Sequence, residues 1–307
     1  MPDRVAILVP CRNEEATVAD VVEGFRSAIP DCTVYVYDNN STDRTAEIAR
    51  EAGAVVRAET LPGKGNVVRR MFSDIDADIY VMVDGDATYD ATIAPKMVNL
   101  IKSDSLDMVV ATRQDEDKNS AAYRVGHRAG NKTLTRFTGW LFGSRFTDIL
   151  SGYRAFSRRF VKSFPALATG FEIETELTIH ALEMKMPVDE VQAVYLARPE
   201  GSASKLNTYS DGIRIMTTII FLFKEIRPFK FFGAIFLALF VLSLAFAYPL
   251  IVTFIETGLV PRLPTAILTT GIMLLAFISL ACGTILDSVC RGRREAKRMY
   301  YLAQPKP

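Results

Sequence analysis

Two aspartates stand one residue apart in the stretch MVDGDATYD, directly behind the apolar run IYVMV. Two carboxylates placed this close repel each other unless a cation lies between them. Magnesium and manganese ions prefer oxygen ligands, and Mg²⁺ often takes one or two protein carboxylates and leaves its other positions to phosphate oxygens and water. Asp84 and Asp86 are therefore candidate ligands of a divalent cation that would neutralise a departing diphosphate.

Polar clusters follow four predicted strands, and together they favour a binding site over ordinary loops. The clusters read PCRNEE, DNNSTDRT, LPGKGN and DGDATYD, and each follows a predicted strand such as VAILVP or TVYVYD. A D-x-D by itself is more often a solvated turn. The carboxyl ends of parallel strands share one edge of a sheet, however, and active sites of such sheets lie there. We therefore predict a site for a polar, phosphate-bearing ligand at this edge.

Short apolar runs and helical patterns alternate through the first half of the chain, and these elements must position the clusters. After TVYVYD, a helix is predicted to begin with Ser41 or Thr42 as N-cap and to end with Gly53 as the C′ residue. The strands are almost continuously apolar, which is typical of strands buried on both faces. The sequence therefore predicts an α/β fold with a mostly parallel sheet between two layers of helices.

Two later runs, at 231–255 and 263–286, contain no charged residue and are long enough to cross a bilayer as helices. Basic residues precede the first run and follow the second, while the short connection carries only Arg262 against Glu256. By the positive-inside rule we predict a transmembrane hairpin in the cell (inner) membrane, with the large N-terminal part and both termini in the cytoplasm.

The sequence thus divides into four predicted parts. They are a cytoplasmic α/β domain over 1–206, an interfacial amphipathic segment over 207–229, the membrane hairpin over 230–288 and a basic cytoplasmic tail over 289–307.

The net charge of +1 argues against a nucleic-acid binder, which would need a basic surplus. Two membrane helices bury little surface within one chain, and this favours a small homo-oligomer.

In their order along the chain, the motifs VPCRNEE, YDNNSTDRT, GKGN and VDGD resemble family 2 glycosyltransferases of the GT-A fold, which is Rossmann-like. The stretches DILSGYRAFSRRF and ARPEGSASKL, followed by two spans, look more narrowly like polyprenyl-phosphate glycosyltransferases, including dolichol-phosphate mannose synthases. The resemblance covers nearly the whole chain. It implies a membrane enzyme that moves a sugar from a nucleotide-diphosphate sugar to polyprenyl phosphate with Mg²⁺ or Mn²⁺.

The resemblance also implies which residues bind the nucleotide sugar. Asp84 and Asp86 match the metal and diphosphate motif, and Gly85 would let the donor approach closely; Lys64 either faces the diphosphate or is an ordinary loop lysine. Asn39 stands where the family usually has a second aspartate, so the base preference is not simply inherited, although we favour uridine. The predicted set is Pro10, Arg12, Glu14, Tyr37, Asp38, Asn39, Lys64, Asp84, Gly85, Asp86 and Arg113.

The acceptor phosphate is expected to meet a polar loop late in the chain. Arg198, Ser202, Ser204 and Lys205 match the R-x-x-G-x-S-K-like loop of the family. A loop with these side chains could close over phosphates and exclude water, whereas in an unrelated protein it would be a plain polar loop.

Two further stretches are weaker candidates for the acceptor site. Arg124 and Arg128 recur four apart on a predicted helix and could meet an anionic head group, although a basic interfacial stripe is the alternative. The stretch SGYRAF could orient the sugar or the phosphate, or could mainly position the chain. The predicted acceptor set is Arg124, Arg128, Ser151, Arg154, Arg198, Ser202, Ser204 and Lys205.

A phosphate acceptor determines the expected mechanism. A phosphate monoester is mostly dianionic near neutral pH, so it is already a nucleophile and needs no strong base. We expect direct displacement with inversion, in which Asp84 and Asp86 act through the cation and Arg198 and Lys205 align the acceptor.

The acidic stretch GFEIETEL is ambiguous. A strand would place Glu172, Glu174 and Glu176 on one face toward the sugar, whereas a helix would make them an acidic N-terminal cluster. Assistance by a carboxylate such as Asp148 or Glu174 is left open by the sequence.

Three other functions fit the sequence less well. A processive polysaccharide synthase would usually carry Q-x-x-R-W, but the only tryptophan, Trp140, stands in RFTGW. A sugar nucleotidyltransferase would not need the membrane hairpin. An inactive membrane scaffold is suggested by Asn39 but opposed by the intact aspartates and basic loop.

Overall fold

The structure is a computed structural model and describes residues 3–115, 125–143, 146–196, 199 and 208–305. It contains two units. The first comprises Met1–Ile219 together with Lys297–Pro307, and the second comprises Ile220–Ala296.

The first unit is built on a seven-stranded mixed sheet in the order β3-β2-β1-β4-β6-β5-β7. Its strands are β1 Val5–Cys11, β2 Thr33–Asp38, β3 Val55–Ala58, β4 Ile79–Met82, β5 Met108–Asp115, β6 Arg154–Ser157 and β7 Val188–Tyr195. Strand β6 is antiparallel to both neighbours, β4 and β5, and the other pairings among these strands are parallel. The predicted mostly parallel α/β sheet is confirmed.

Helices cover both faces of the sheet. The helices of the first unit are α1 Val18–Ala28, α2 Thr45–Glu51, α3 Lys64–Asp74, α4 Ala94–Ser103, α5 Val125–Phe142, α6 Arg158–Ser163 and α7 Ile173–Met184. Helix α8, Thr208–Ile226, begins in the first unit and ends in the second. On one face, Val9 and Val81 pack in a core that includes Phe25 of α1. On the other, Phe72 of α3 makes edge-on ring contacts with Tyr80 and Phe156. Burial on both sides explains why the strands are continuously apolar.

The direction of β6 determines which residues lie beside the predicted site. Parallel strands bring their carboxyl ends to one edge, but an antiparallel strand brings its beginning there. Met82, the last residue of β4, pairs with Arg154, the first residue of β6. The turn SGY before β6 therefore lies beside the DGD motif after β4, a neighbour that the alternating pattern did not reveal.

The second unit contains two long apolar helices. Helix α9 spans Pro228–Thr257, and helix α10 spans Leu263–Ala303, whose last residues belong to the first unit. Both are long and apolar enough to cross a membrane, with mean hydropathy of 2.6 and 2.1 in their most apolar windows. Ser243 Oγ of α9 donates to the Thr269 carbonyl of α10 at 3.0 Å, and Ser279 Oγ donates to the Phe232 carbonyl at 3.1 Å. Hydroxyl to carbonyl bonds thus join the pair.

The last residues of α10, from Lys297 on, belong to the first unit and pack within it. The Tyr301 hydroxyl donates to Asp107 Oδ2 at 2.7 Å, and the Arg159 guanidinium lies 4.8 Å from the centre of the Tyr301 ring. Lys297 donates to Glu183 Oε2 at 2.7 Å. Part of the basic tail expected over 289–307 is therefore held by buried acidic groups.

Candidate active site

The DGD turn follows β4 at the carboxyl edge of the sheet. Asp86 is 4% exposed, and its Oδ1 accepts hydrogen bonds from the Thr88 hydroxyl at 2.6 Å and the Thr88 N–H at 3.3 Å. Ala87 between them has a φ of 54°, in the left-handed region. A short side chain that bonds the backbone two residues later stabilises such a turn. Asp86 is therefore held in place without a ligand.

Lys64 joins Asp84 to an acidic residue from another element. Its ammonium contacts Asp84 Oδ1 and lies 2.5 Å from Glu174 Oε1, and the Lys64 and Glu174 side chains are 10% and 5% exposed. Burial alone would lower the pKa of Lys64, but the two carboxylates raise it, so the ammonium stays charged. Burial, together with the charge of Asp84, raises the pKa of Glu174. Lys64 is thus neither a solvated loop lysine nor distant from the DGD turn.

Two glycines make room around the DGD turn. A Cβ on Gly152 would clash with Asp84 Oδ2, so the backbone of the SGY turn packs directly on that carboxylate. A Cβ on Gly85 would lie 2.6 Å from Cys11 Sγ and 3.6 Å from Glu14 Cγ. Gly85 is therefore required by its contact with the β1 loop, whatever it contributes to donor approach.

Asn39 forms hydrogen bonds with three backbone groups of the loop that precedes Lys64. Its Nδ2 donates to the carbonyls of Glu59 and Leu61, both at 2.8 Å, and its Oδ1 accepts from the Gly63 N–H at 2.7 Å. A carboxylate can only accept hydrogen bonds, so an aspartate could not make the first two. The departure from the family's aspartate pair thus has a structural reason.

Asp38 and Tyr37, which were both predicted to line the nucleobase pocket, differ in burial and in hydrogen bonding. Asp38 Oδ2 accepts from the Ser41 N–H at 3.3 Å, while its Oδ1 is buried and has no hydrogen-bond partner among the described residues. Tyr37, in contrast, is fully buried, and its hydroxyl donates to Asp74 in α3 at 3.1 Å. Tyr37 therefore has no exposed surface with which to line a base pocket, and the prediction for it is not supported.

The loops after β1 and β2 are hydrogen-bonded to each other. Asn13 Oδ1 accepts from the Thr42 N–H at 2.8 Å, and the Glu14 N–H donates to Thr45 Oγ1 at 2.8 Å. Because Ser41 and Thr42 bond to Asn13, helix α2 begins at Thr45, later than the predicted caps. Pro10 pairs with Tyr37 and Cys11 with Asp38 in the register of β1 and β2, so Arg12 and Glu14 follow β1 at the same edge as Asp38.

Arg113 is paired within the protein. Its Nε and Nη2 donate to the two oxygens of Asp148 at 2.7 and 2.8 Å, and Asn131 donates to the same carboxylate at 3.0 Å. Burial would raise the pKa of Asp148, but Arg113 and the other donors hold it below its usual range. The Arg113 guanidinium also lies 5.7 Å from the centre of the Tyr195 ring. Asn131 was not among the predicted site residues, and Asp148 was named only as a carboxylate that could assist the reaction.

Two predicted acceptor residues are structural instead. The Arg154 side chain is fully buried and donates to the carbonyls of Ser151 and Ile149 at 2.8 and 2.7 Å and to Thr178 Oγ1 at 2.8 Å. Burial lowers its pKa to about 10. Ser151 is also buried, and its hydroxyl donates to the Ala111 carbonyl at 2.6 Å. Both side chains are buried and bonded within the protein, so the structure does not support a direct contact of either with an acceptor phosphate.

The acidic stretch is helical, which resolves its ambiguity. Glu174 and Glu176 lie in the first turn of α7, and Glu172 precedes it. Glu172 accepts from the N–H groups of Thr169 and Gly170 at 3.1 and 3.0 Å, and Glu176 accepts from two N–H groups of the same loop. Two glutamates therefore shape the preceding loop, and Glu174 alone of the three contacts Lys64.

Comparison with known proteins places this site in a family. The family model for Glycosyl transferase family 2 matches residues 6–163, which contain the four loops described above. The chain belongs to glycosyl transferase family 2. This glycosyltransferase is 34% identical to Glycosyltransferase AglJ of Haloferax volcanii over 96% of each chain. It is 28% identical to the Dolichyl-phosphate hexose transferase of the same organism over 71% of this chain and 93% of that protein.

Solved structures agree with the fold of this glycosyltransferase. Glucosyl-3-phosphoglycerate synthase from Mycobacterium tuberculosis, in complex with Mn²⁺, UDP and glucosyl-3-phosphoglycerate, matches with a TM-score of 0.60 and 22% identity, covering 71% of this chain and 79% of that one. The first unit is therefore a GT-A-like domain.

The candidate metal ligands of the glycosyltransferase form a short set. Within the described ranges, no group of three or more His, Cys, Asp or Glu side chains could hold a metal. Asp84 and Asp86 supply carboxylate oxygens, one in contact with Lys64 and the other with Thr88. Such a set fits a cation that takes its remaining ligands from phosphate and water, and it does not fit a closed protein site.

Most of the predicted acceptor residues lie outside the described part of the chain. This applies to Arg124, Arg198, Ser202, Ser204 and Lys205 and to the side chain of Arg128. The structure does describe the residue that leads to the loop. The Leu196 N–H donates to the Thr88 carbonyl at 2.9 Å, so the chain leaves β7 in contact with the DGD turn.

Proposed function

We propose that this glycosyltransferase moves a sugar from a nucleotide-diphosphate sugar, most simply a UDP-sugar, to the phosphate of a polyprenyl phosphate in the membrane. The observation that carries the proposal is the DGD turn with its neighbouring ammonium in a chain that also has two helices able to span a bilayer. A lipid-soluble acceptor would explain why a nucleotide-sugar enzyme is joined to such helices. The relative named as a dolichyl-phosphate hexose transferase supports this acceptor class.

Asp38 supports the nucleotide half of the proposal. Its buried Oδ1 lacks a partner among the described residues, and a buried acceptor without a donor is costly until a donor arrives. An imide N–H of a uracil ring is a donor of this kind. The solved neighbours in complex with UDP and with Mn²⁺ or Mg²⁺ are consistent with this proposal.

Asp84 and Asp86 would hold the divalent cation, Mg²⁺ or Mn²⁺. When bound, the cation supplies neutralisation of the charge that develops on the departing diphosphate. Asn39 and Gly63 hold the loop that aims Lys64 at the same place, and Gly152 packs against Asp84. These residues hold charged groups in position before the reaction begins, and such preorganisation accounts for much of the rate enhancement in many enzymes.

The acceptor phosphate would act as the nucleophile without a protein base, with inversion at the sugar carbon. The two carboxylates considered for assistance are engaged, Asp148 by a bidentate arginine and Glu174 by Lys64. A carboxylate whose pKa is lowered by an arginine is a poor proton acceptor. Arg198, Lys205, Ser202 and Ser204 remain the proposed acceptor contacts, with Arg124 and Arg128 beside them.

The proposal includes location. The two apolar helices would form a hairpin in the inner membrane with both termini in the cytoplasm, residues 207–229 would lie at the interface, and copies of the chain would form a small homo-oligomer. A catalytic domain held at the membrane meets a lipid acceptor at a high effective concentration.

The test uses purified full-length protein in detergent with undecaprenyl phosphate, Mg²⁺ or Mn²⁺, and a panel of nucleotide sugars. We expect mass spectrometry to detect one sugar-phosphate lipid, absent with Asp86→Asn and retained with Asp104→Asn, which changes an exposed aspartate. A polymeric product would indicate a processive synthase. Nucleotide binding without transfer from any donor would favour an inactive scaffold.

A further inference from the structure

Lys64 serves two carboxylates at once. Asp84 comes from the loop after β4 and Glu174 from the first turn of α7, and the Lys64 ammonium contacts both. The group therefore carries one positive and two negative charges in a largely buried place. Lys64 is also the first residue of α3, where the helix dipole disfavours a cation. The first turn of α3 holds no acidic residue that would offset this effect.

We propose that Lys64 competes with the divalent cation for Asp84, and that Glu174 weakens this competition by drawing the ammonium away from Asp84. The inference rests on the proposed function, because it assumes that Asp84 and Asp86 hold the cation of a nucleotide-diphosphate donor. In the free enzyme, the cation meets an aspartate already neutralised by Lys64. A diphosphate offers the ammonium other oxygens, so that Asp84 is released as the donor binds.

The side chains suit this exchange. A lysine carries a compact charge on a flexible four-carbon stem with three donors, and it can turn from a carboxylate to a phosphate without moving its backbone. The backbone here is held by the Asn39 bond to Gly63. Asp84 is 31% exposed, more open than either partner, so a ligand can approach it while Glu174 stays buried.

The inference predicts opposite effects for two substitutions. Lys64→Met removes the competitor and should tighten Mn²⁺ binding in the absence of nucleotide. In Glu174→Gln the Lys64 ammonium would contact Asp84 alone, and Mn²⁺ binding should become weaker. Each change should be on the order of tenfold, the effect of one charge-assisted hydrogen bond. General damage to the site would weaken binding in both variants.

The experiment measures free Mn²⁺ by electron paramagnetic resonance with the full-length protein in detergent, with and without UDP. For the native chain we expect UDP to tighten Mn²⁺ binding, and for Lys64→Met we expect much of this gain to be lost. Lys64→Gln serves as a second variant should the methionine impair folding. Lys297→Met, which removes a lysine from Glu183 away from the site, should change nothing.

The outcomes separate this inference from the proposed function. Retained Mn²⁺ binding in Asp86→Asn, or no binding by the native chain even with UDP, would overturn the cation site and with it both proposals. Loss in Asp86→Asn together with unchanged or weaker binding in both Lys64 variants would overturn the competition alone. Tighter binding in Glu174→Gln would do the same.

Discussion

At the scale of single residues, the geometry of the site depends on residues that fix the positions of its charged side chains. Asn39 was predicted to bind the nucleotide sugar, yet its side chain anchors the loop that precedes Lys64, and Gly152, which was in neither predicted set, packs on Asp84. Most polar residues of the motifs could be recognised from the sequence, because each follows an apolar strand. Their partners could not, since a hydrogen-bond partner distant in sequence leaves no mark on the local pattern.

Asn39→Asp restores the more usual family residue and should nevertheless destabilise the chain. The carboxylate would lose two donated bonds and face the carbonyls of Glu59 and Leu61, at a cost of about 2–4 kcal/mol. Thermal unfolding in detergent measures this. Asn40→Asp is the control, because that side chain is exposed and makes one bond to the Thr60 carbonyl. Equal unfolding temperatures for the two variants would contradict this role of Asn39.

Gly152→Ala should reduce transfer far more than it reduces stability. Its Cβ would clash with Asp84 Oδ2, so the carboxylate must shift, and a displacement of about 1 Å at such a group can lower the rate about 100-fold. Initial rates of lipid-sugar formation and unfolding temperatures are the measurements. In Gly130→Ala nothing lies within 4 Å of the new Cβ, and full activity is expected. Activity in Gly152→Ala equal to that control would refute the contact.

At the scale of elements, helix α7 links the site to the core. Its first turn supplies Glu174 to Lys64, and its buried middle carries His180 between the rings of Phe160 and Phe164. The sequence left the acidic stretch open between strand and helix because three glutamates at alternate positions fit a strand. In the structure the stretch is helical, because Glu172 and Glu176 accept hydrogen bonds from N–H groups of the loop before α7.

His180 should make the fold sensitive to acid. Burial lowers its pKa to about 3, whereas in the unfolded chain it titrates near 6.5. Between these values only the unfolded state binds the proton, so the free energy of unfolding falls by about 1.4 kcal/mol per pH unit as the pH drops below about 6.5. Denaturant unfolding between pH 7 and pH 4.5 is the measurement. His180→Leu should remove this part of the slope, and an unchanged slope would show that His180 is not its source.

At the scale of the whole molecule, the end of the chain contributes to the GT-A-like unit. Asp107 stands just before β5, is fully buried, and accepts from Ser157, Arg159 and Tyr301. Burial, together with the bond to Asp107, raises the pKa of Tyr301 to about 12, so the hydroxyl remains a donor. Hydropathy identified the two apolar helices but could not show that their basic extension packs on acidic partners.

Tyr301→Phe should destabilise the GT-A-like unit, because a buried carboxylate loses one of its donors. The expected loss is about 1–3 kcal/mol, measured by denaturant unfolding in detergent. Tyr300→Phe is the matched control, since that neighbouring side chain is 68% exposed. A similar stability for the two variants would argue against the docking of the chain end.

The proposed hairpin makes a prediction about sidedness. In a chain without its native cysteines, Val260→Cys in the connection between the spans should react with a membrane-impermeant maleimide on intact cells. Ala296→Cys, which follows the second span, should react only after permeabilisation. The opposite pattern would place the catalytic unit outside the cytoplasm.

The sequence by itself determined the mostly parallel α/β sheet, the edge at which its polar loops gather, and the two long apolar helices. Each of these follows from periodicity or from the residues directly after a strand, which are local properties. Only the tertiary structure decided that β6 runs antiparallel, that Arg154 and Ser151 are structural, and that Lys64 pairs with Glu174. The reason is physical: a charged or polar side chain has the same local pattern whether it faces solvent, a ligand or a buried partner, and strand order and direction choose among them.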